Sequence, residues 1–403
     1  MKILLAHNFY RSSAPSGEDM VYRNERRLLE ESGIEVVPFE RHNDAIDEST
    51  LAKRVRLALD GAWSKRTFRE IREIVRRERP DVAHFHNTFP LISPSAYAAC
   101  REEGVPVVQT LHNFRFVCPQ AILTRDGRPC ELCLDGSLWP ALRHRCYRGS
   151  FLPTLAQVWT LASNRRRGTY TRLVDRYLAL TRFAAEKLVA GGLPAGRVTV
   201  KPNFLPDPPG AGSGEGGYAV FVGRLSEEKG VRTLLDAWRL RPGLPLRVLG
   251  SGPLEEELSR TARREGLPVE FLGFRRRDEV YAVIGSAEMV VVPSECYEGF
   301  PVTVLEAMAC GTPVVASRLG GLAEVVEEGI TGTTFTAGDP QDLAAAVVRL
   351  RGERNLLPFL RTRCRLHFEQ NYSGEHARTA LLDVYAGVIR EVRREARNSG
   401  RFR

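Results

Sequence analysis

The chain reads as an α/β protein with two doubly wound parallel sheets in two domains, and three observations predict this. At 403 residues it is too long for one ordinary hydrophobic core. From Tyr218 onward, short apolar strands alternate with amphipathic helices, the pattern of a parallel sheet covered on both faces. Finally, "KPNFLPDPPGAGSGEGG", residues 201–217, is rich in proline and glycine and nearly uncharged, as a linker between domains would be.

The C-terminal half is the more regular. Strand "YAVFVG" leads into helix "GVRTLLDAWRL", with Val231, Leu234, Leu235 and Trp238 at helical spacing. Strand "PLRVLG", helix "PLEEELSRTARREG", strand "VEFLGF", helix "RDEVYAVIGSA" and strand "EMVVVPS" follow. A helix at Pro301, strand "PVVAS" and helices "GLAEVVEEG" and "PQDLAAAVVRLRG" complete the series. In the N-terminal half, strands are expected at "KILLAH", "IEVVPF", "DVAHFHN" and "VPVVQTLHN", with helices after Glu18 and around Arg69 and Ser95. These readings give residues 1–200 as the first domain, with a cysteine-containing insertion near residues 115–150, and residues 218–370 as the second. Residues 371–403 read as a terminal helix packing back toward the first domain. Ligands of doubly wound sheets bind beyond the carboxyl ends of the strands, so the two domains would face one another across a cleft there.

The apolar and charged fractions are those of a globular protein, and no run approaches a membrane span. The opening "MKILLAHNFYR" turns polar too soon for a signal peptide, so a cytoplasmic protein is expected. The net charge of +9 comes mainly from arginine, clustered between Lys53 and Arg79 and again at Arg165, Arg166 and Arg167. Such clusters are either solvated helix faces or a surface drawn to anionic lipid or a phosphorylated substrate; lipid would place the protein at the inner face of a membrane. Nucleic acid is not an expected partner, because no aromatic residues interleave with the basic ones in a stacking pattern.

Three stretches point to a phosphate-bearing ligand. "FVGRLSEEKG", residues 221–230, follows a strand and opens a helix. Gly223 permits a tight turn, and Arg224 and Lys229 are cations where a helix N-terminus already favours an anion. "VLGSGP" repeats the arrangement at the next strand end with Gly250 and Gly252. In "YEGFPVTVLEAMACG", Pro301 suits a first helical position, which puts Glu298 just before the helix and Glu306 inside it. Gly299 allows close approach, and the N–H groups after Phe300 would be free to meet a ligand. A carboxylate can accept hydrogen bonds from two adjacent sugar hydroxyls. The plainer reading makes Glu298 a helix cap and Glu306 half of a salt bridge.

Taken together, Glu298 and Glu306 with seven residues between them, "GRLSEEKG" and "VLGSGP" upstream and "CGTPVVAS" downstream resemble the retaining glycosyltransferases of family 4, which have the GT-B fold of two Rossmann-like domains. The resemblance covers nearly the whole chain and is strongest between about Gly217 and Leu350. It implies a nucleotide-sugar donor in the C-terminal domain and an acceptor mostly in the N-terminal one. By matching positions, Arg224 and Lys229 would hold the diphosphate, with Gly223 and Gly250 in the turns beside it. Glu306 would bind the ribose and Glu298 the donor sugar. Backbone at Gly299, Phe300, Pro301 and Val302 would touch sugar and phosphate, and Phe274 of "FLGF" would lie near the base.

In the N-terminal half, "PVVQTLHNFR" ends a strand with His112; the resemblance implies that this histidine contacts the donor sugar and assists catalysis. His84 and His86 of "DVAHFHN" are read as supporting residues. "APSGEDM", with Ser16, Gly17 and Glu18, matches the loop that in the family approaches phosphate and acceptor. Glu18 stands where many relatives carry a second glycine. The resemblance also implies retention of anomeric configuration. Catalysis would need no metal, the departing diphosphate being stabilised by cations and helix N-termini.

Cys118, Cys130, Cys133 and Cys146 follow in a C-x11-C-x2-C-x12-C spacing. They are either four soft ligands for a structural zinc, with His144 as a substitute, or a loop of partly buried thiols. The function expected is transfer of a sugar, hexosyltransferase type, from a nucleotide-sugar donor to a polysaccharide, lipid-linked or small-molecule acceptor in cell-envelope or polysaccharide synthesis. Another GT-B activity, epimerase or phosphorylase, is the alternative within enzymes. A basic, zinc-containing binding module is the alternative outside them, and it leaves Glu298, Glu306 and the glycine turns unexplained.

Overall fold

The computed structural model describes residues 1–13, 16–352 and 356–398; Ala14 and Pro15 of the "APSGEDM" loop and residues 399–403 lie outside these. The chain divides into two compact units.

The first unit holds residues 1–122, 131–202 and 377–403. Its sheet contains β1 (Lys2–Phe9), β2 (Glu35–His42), β3 (Val82–Phe85) and β4 (Val107–Leu111). The short hairpin of β5 (Thr124–Arg125) and β6 (Arg128–Pro129) groups with the second unit. The sheet then resumes with β7 (Arg176–Ala179) and β8 (Val198–Val200). All pairs in the sheet are parallel, in the order β2-β1-β3-β4-β7-β8. Ile3 to Ala6 of β1 and all of β3 and β4 are buried, because helices cover both faces. A further helix, Phe151–Arg167, was not anticipated from the sequence. Within the Gly374–Asn398 helix, Leu381, Tyr385 and Val388 are fully buried and recur at i, i+4 and i+7, the stripe of a core-facing helix.

The second unit holds residues 123–130 and 203–376. Its strands are β9 (Ala219–Val222), β10 (Leu246–Leu249), β11 (Val269–Gly273), β12 (Met289–Val292), β13 (Val314–Ser317) and β14 (Gly332–Phe335). They form a second parallel sheet in the order β11-β10-β9-β12-β13-β14. Its core centres on Trp238, whose indole N–H donates to the Leu244 carbonyl at 2.7 Å. The stretch 201–217, read as a linker, is tied into this unit from residue 203 onward. Gly212, Gly214 and Gly216 donate backbone hydrogen bonds to Cys310, Gly285 and Ser286, and Arg361 donates to the Gly212 carbonyl. Glycine permits this close docking, which is a different use of the residue from flexibility.

Each sheet has a switch point. In the first unit the chain moves from β1 outward to β2, then returns to the other side of β1 at β3. In the second it moves from β9 through β10 to β11, then returns to the other side of β9 at β12. Loops leaving the carboxyl ends of β1 and β3, and of β9 and β12, therefore diverge over opposite faces and leave room for a ligand between them.

Candidate active site

In the second unit, the loops after β9, β10 and β11 are laced together beyond the strand ends. Gly223 N–H donates to the Leu249 carbonyl at 3.0 Å, Gly250 N–H to Gly273 at 2.9 Å, and Leu225 N–H to Ser251 at 3.0 Å. Gly250 has φ +123°, and a Cβ there would stand 2.0 Å from the Gly223 carbonyl oxygen. The two glycine turns singled out in the sequence are thus in van der Waals contact. Gly230, at φ +65°, opens the Val231–Arg239 helix, and a Cβ there would meet the Pro293 oxygen at 1.8 Å. That contact presses the β9 loop against the β12 loop.

Lys229 and Glu298 meet at this junction. The ammonium lies 2.5 Å from Glu298 Oε1, which also accepts from the Ser294 hydroxyl at 2.7 Å. Burial alone would lower the lysine pKa, but the Glu298 charge outweighs it and the net shift is upward. Lys229 therefore stays a cation at any physiological pH. Glu295 reinforces the junction: its N–H donates to the Glu228 carbonyl at 3.0 Å, and its carboxylate accepts from Thr233 at 2.6 Å. Arg224 is exposed and makes no ion pair with any described residue.

The helix that follows is Val302–Ala309, with Pro301 as its N-cap at φ −65° and ψ 125°. This corrects the placement of Pro301 at the first helical position. Its extended ψ turns the chain out of the Gly299–Phe300 bend before the helix begins. Phe300 is buried against Tyr372, and its carbonyl accepts from Asn203 Nδ2 at 3.1 Å, which anchors the bend. Thr303 ties the first turn back to the end of β9 through the Val222 carbonyl at 3.3 Å. The opening N–H groups of an α-helix lack intrahelical acceptors, so this end is suited to an anion.

Glu306 is only 7% exposed, and no described residue donates a hydrogen bond to its carboxylate. Burial raises its pKa to about 7, with Arg277 partly opposing the shift. A buried carboxyl without a partner is costly, which is the mark of a group kept for a ligand. Phe274, just past β11, is 70% exposed.

In the first unit, three parallel neighbours bring histidines to one edge. His7 sits near the carboxyl end of β1, His86 just beyond β3 and His112 just beyond β4. His86 Nδ1 lies 3.0 Å from His112 Nε2, and the rings stack at 5.2 Å. Behind His86 is Glu25, fully buried, whose Oε1 is 3.0 Å from His86 Nε2 and 2.9 Å from His84 Nδ1. Lys201 completes the group at 2.9 Å from Glu25 Oε2. Burial pushes the Glu25 pKa up, but Lys201, His86 and His84 together hold it well below the usual carboxylate range. Burial also lowers His86 to about 4 and places His112 well below the ordinary histidine value.

The tautomers follow from these charges. Ionised Glu25 only accepts, so His86 must donate from Nε2 and accept at Nδ1. His112 then donates from Nε2, leaving its Nδ1 as a bare acceptor. Glu25, His84 and His86 also bring three donor atoms within 4.8 Å, as a metal site would. The Lys201 ammonium already supplies the cation, which makes this a buried ion-pair network.

Glu25→Ala is expected to cost about 3–5 kcal/mol of stability, because it removes the carboxylate that Lys201, His84 and His86 all face in a buried network. Urea unfolding measures it, and a loss below about 1 kcal/mol would mean that the pair carries little.

The loop before the Gly17–Glu31 helix is organised by Ser16, which caps it by accepting from Glu18 N–H at 3.2 Å, while Asp19 accepts from Ser16 N–H. Gly17 is the first residue of that helix. Asp19 also accepts from His7 at 2.8 Å. Glu18 accepts from Asn113 Nδ2 at 2.8 Å, next to His112, and burial raises its pKa. Of the cysteines, Cys118 and Cys133 are buried, while Cys130 and Cys146 are half-buried.

Glu25, Lys201, Ser294 and Asn113 were not singled out in the sequence. Glu25 did leave a signal: it stands in helical register with Val21, Tyr22, Leu28 and Leu29, an acid in the middle of an apolar stripe. The helices that place these residues are too ordinary in pattern to mark the others.

The family model "Glycosyltransferase Family 4" matches residues 17–207, and "Glycosyl transferases group 1" matches residues 216–352. An uncharacterised glycosyltransferase of Methanocaldococcus jannaschii is 32% identical over 171 residues, 41% of this chain and 44% of the relative. The chain thus spans less than half the length of that relative. Glycogen synthase of Mycobacterium tuberculosis is 29% identical over 319 residues, 77% of this chain and 70% of the relative. Among solved structures, Anabaena HepE in complex with UDP superposes with a TM-score of 0.66 at 19% identity, over 96% of this chain and 100% of that one. This likeness establishes the GT-B fold.

Proposed function

Because the chain belongs to the group 1, family 4 glycosyltransferases, we propose that it transfers a sugar from a nucleotide-sugar donor to a glycan or lipid-linked acceptor, with retention of configuration. The observation that carries this reading is the junction after β9 and β12, where Lys229 meets Glu298 at the entry to the Val302–Ala309 helix, with the exposed Arg224 in the same β9 loop and Glu306 unpaired one turn into the helix. The Anabaena HepE structures hold UDP and UDP-glucose, which supports a nucleotide-sugar donor here. Arg224 and Lys229 take the diphosphate, Glu306 the ribose diol and Glu298 the sugar. Growing charge on the departing diphosphate meets fixed cations and N–H dipoles, which lowers the barrier without a catalytic metal. His112, its Nδ1 lone pair fixed by His86 and Glu25, offers a bare acceptor to a sugar hydroxyl. Glu18 and its loop serve the acceptor.

A thermal-shift screen against UDP-, GDP- and ADP-sugars tests the reading, since a ligand at a hundred times its Kd stabilises by about 2.7 kcal/mol. One donor class is expected to raise the Tm. No shift with any of them would remove the donor assignment.

We further propose that Cys118, Cys130, Cys133 and Cys146 hold one structural zinc. Support comes from the C-x2-C pair in the sequence. Metal analysis of gently purified protein is expected to give about one zinc per chain; metal-free, fully folded protein would leave only buried thiols. For location we propose a cytoplasmic protein that associates with the inner face of a membrane, where lipid-linked acceptors would be met; among the described residues no helix is long and apolar enough to cross one.

A further inference from the structure

The Phe151–Arg167 helix is built inside out. Its buried face carries Thr154, Gln157 and Asn164 beside Leu161, while Leu152, Leu155 and Trp159 face solvent at i, i+3 and i+7. Leu152 is 67% exposed and Trp159 51%. Two of the buried polar groups are held from within the fold: Thr154 donates to the Ser150 carbonyl at 2.7 Å, and the Asn164 amide donates to the Ala62 carbonyl at 3.0 Å while its Oδ1 has no partner among the described residues. The folding energy of this helix therefore does not explain its apolar stripe. Ordinary soluble surfaces scatter such residues singly.

The neighbouring helix repeats the pattern. Leu51–Ala62 packs against Phe151–Arg167 and exposes Leu51, Val55 and Leu59 at i, i+4 and i+8. A third helix in contact, Trp139–His144, exposes Trp139. Basic groups surround these side chains. From Trp139 to Arg167 the chain holds six arginines and no aspartate or glutamate, and Arg143, Arg145, Arg148, Arg166 and Arg167 are exposed. On the Leu51–Ala62 helix, Lys53, Arg54 and Arg56 stand against Asp60, and the preceding Asp47 and Glu48 pair with Lys53 and Arg148, which leaves Arg143, Arg145, Arg166 and Arg167 as the excess of positive charge.

We propose that these three helices of the first unit form the surface by which the protein docks on an anionic lipid bilayer. The inference deepens the membrane-side placement given above and does not depend on which sugar is transferred. Apolar side chains enter the headgroup boundary, tryptophans sit where one edge is apolar and the other wet, and the arginines meet lipid phosphates. Charge selects this occupant. A second copy would bring a like-charged arginine surface against this one, whereas an anionic bilayer neutralises it.

The test is flotation of the full chain with vesicles of 30% phosphatidylglycerol in phosphatidylcholine, alongside phosphatidylcholine alone. Binding is expected to be at least tenfold tighter to the anionic vesicles and to weaken as salt rises. The exposed triple variant Leu152→Ser, Leu155→Ser and Trp159→Ser should lose at least tenfold in vesicle binding, with unchanged Tm and unchanged nucleotide-sugar binding in solution. Equal binding to neutral vesicles, or a triple variant that still floats, would overturn the surface. So would a triple variant that changes oligomeric state in light scattering without vesicles, which would make this a contact between copies. Loss of nucleotide-sugar binding by the wild type would strike the proposed function and leave this inference standing.

Discussion

Arg224→Ala combined with Lys229→Ala is expected to lower kcat by about a thousandfold or more, since removing even one group that stabilises developing charge costs about 10²–10³. The effect on donor Kd is smaller than that on kcat, because negative charge on the diphosphate grows as the glycosidic bond breaks. The two singles differ in a useful way. Arg224 is exposed, so its loss leaves stability unchanged. Removing Lys229 leaves the Glu298 carboxylate with the Ser294 hydroxyl as its recorded hydrogen-bond donor, and adds a stability loss. Lys229→Ala with Glu298→Gln separates the two effects by restoring stability without restoring turnover. A double Arg224, Lys229 variant that keeps a tenth of wild-type kcat would sink the diphosphate assignment.

Glu306→Gln is expected to make the protein more stable and the enzyme worse. The folded-state pKa of about 7 lies above the ordinary carboxyl value of 4.5. Below pH 4.5 both folded and unfolded chains hold the proton, and substitution changes little. Between 4.5 and 7 the unfolded chain releases it first, so the native state loses stability progressively. Above 7 the loss is complete, up to about 3 kcal/mol. The variant should therefore gain Tm at pH 8 and gain almost nothing at pH 4. Donor binding should weaken about tenfold to a hundredfold, the worth of hydrogen bonds to a charged acceptor. In the wild type, the proposed ribose contact calls for the carboxylate form, the acceptor of two hydroxyls. Affinity accordingly rises with pH through about 7, and calorimetry in buffers of different ionisation enthalpy records proton release. A variant that is more stable yet binds donor normally would return Glu306 to a purely structural role.

The two halves of the protein were unequally legible. Gly223, Lys229, Gly250 and Glu298 lie in short runs at strand ends, and local spacing sufficed to group them. The histidine network draws its members from distant segments. Glu25 and Lys201 are 176 positions apart, and His84 and Tyr385 are 301 apart. Nothing local announces such pairs; only the parallel order β1-β3-β4 brings them to one edge. Pro301 misled by a single position, because both the cap and the first helical residue accept its φ and only ψ separates them. The Phe151–Arg167 helix escaped notice because its apolar stripe belongs to the outside, against the rule by which periodicity is read. Residues 203–217 looked flexible since glycine serves close packing and loose chain alike.

The helix that carries Tyr385 bears on how the protein is made. Its hydroxyl reaches His84 Nδ1 at 2.8 Å, and the segment from Ala377 belongs to the first unit. Every residue of the second unit has been synthesised by position 376. A chain shortened at position 376 therefore holds every residue of the second unit and lacks the helix that completes the first. Without that helix the place of Tyr385 stands open beside Glu25 and His84, so such a chain should keep its second unit folded and leave the histidine network of the first unfinished.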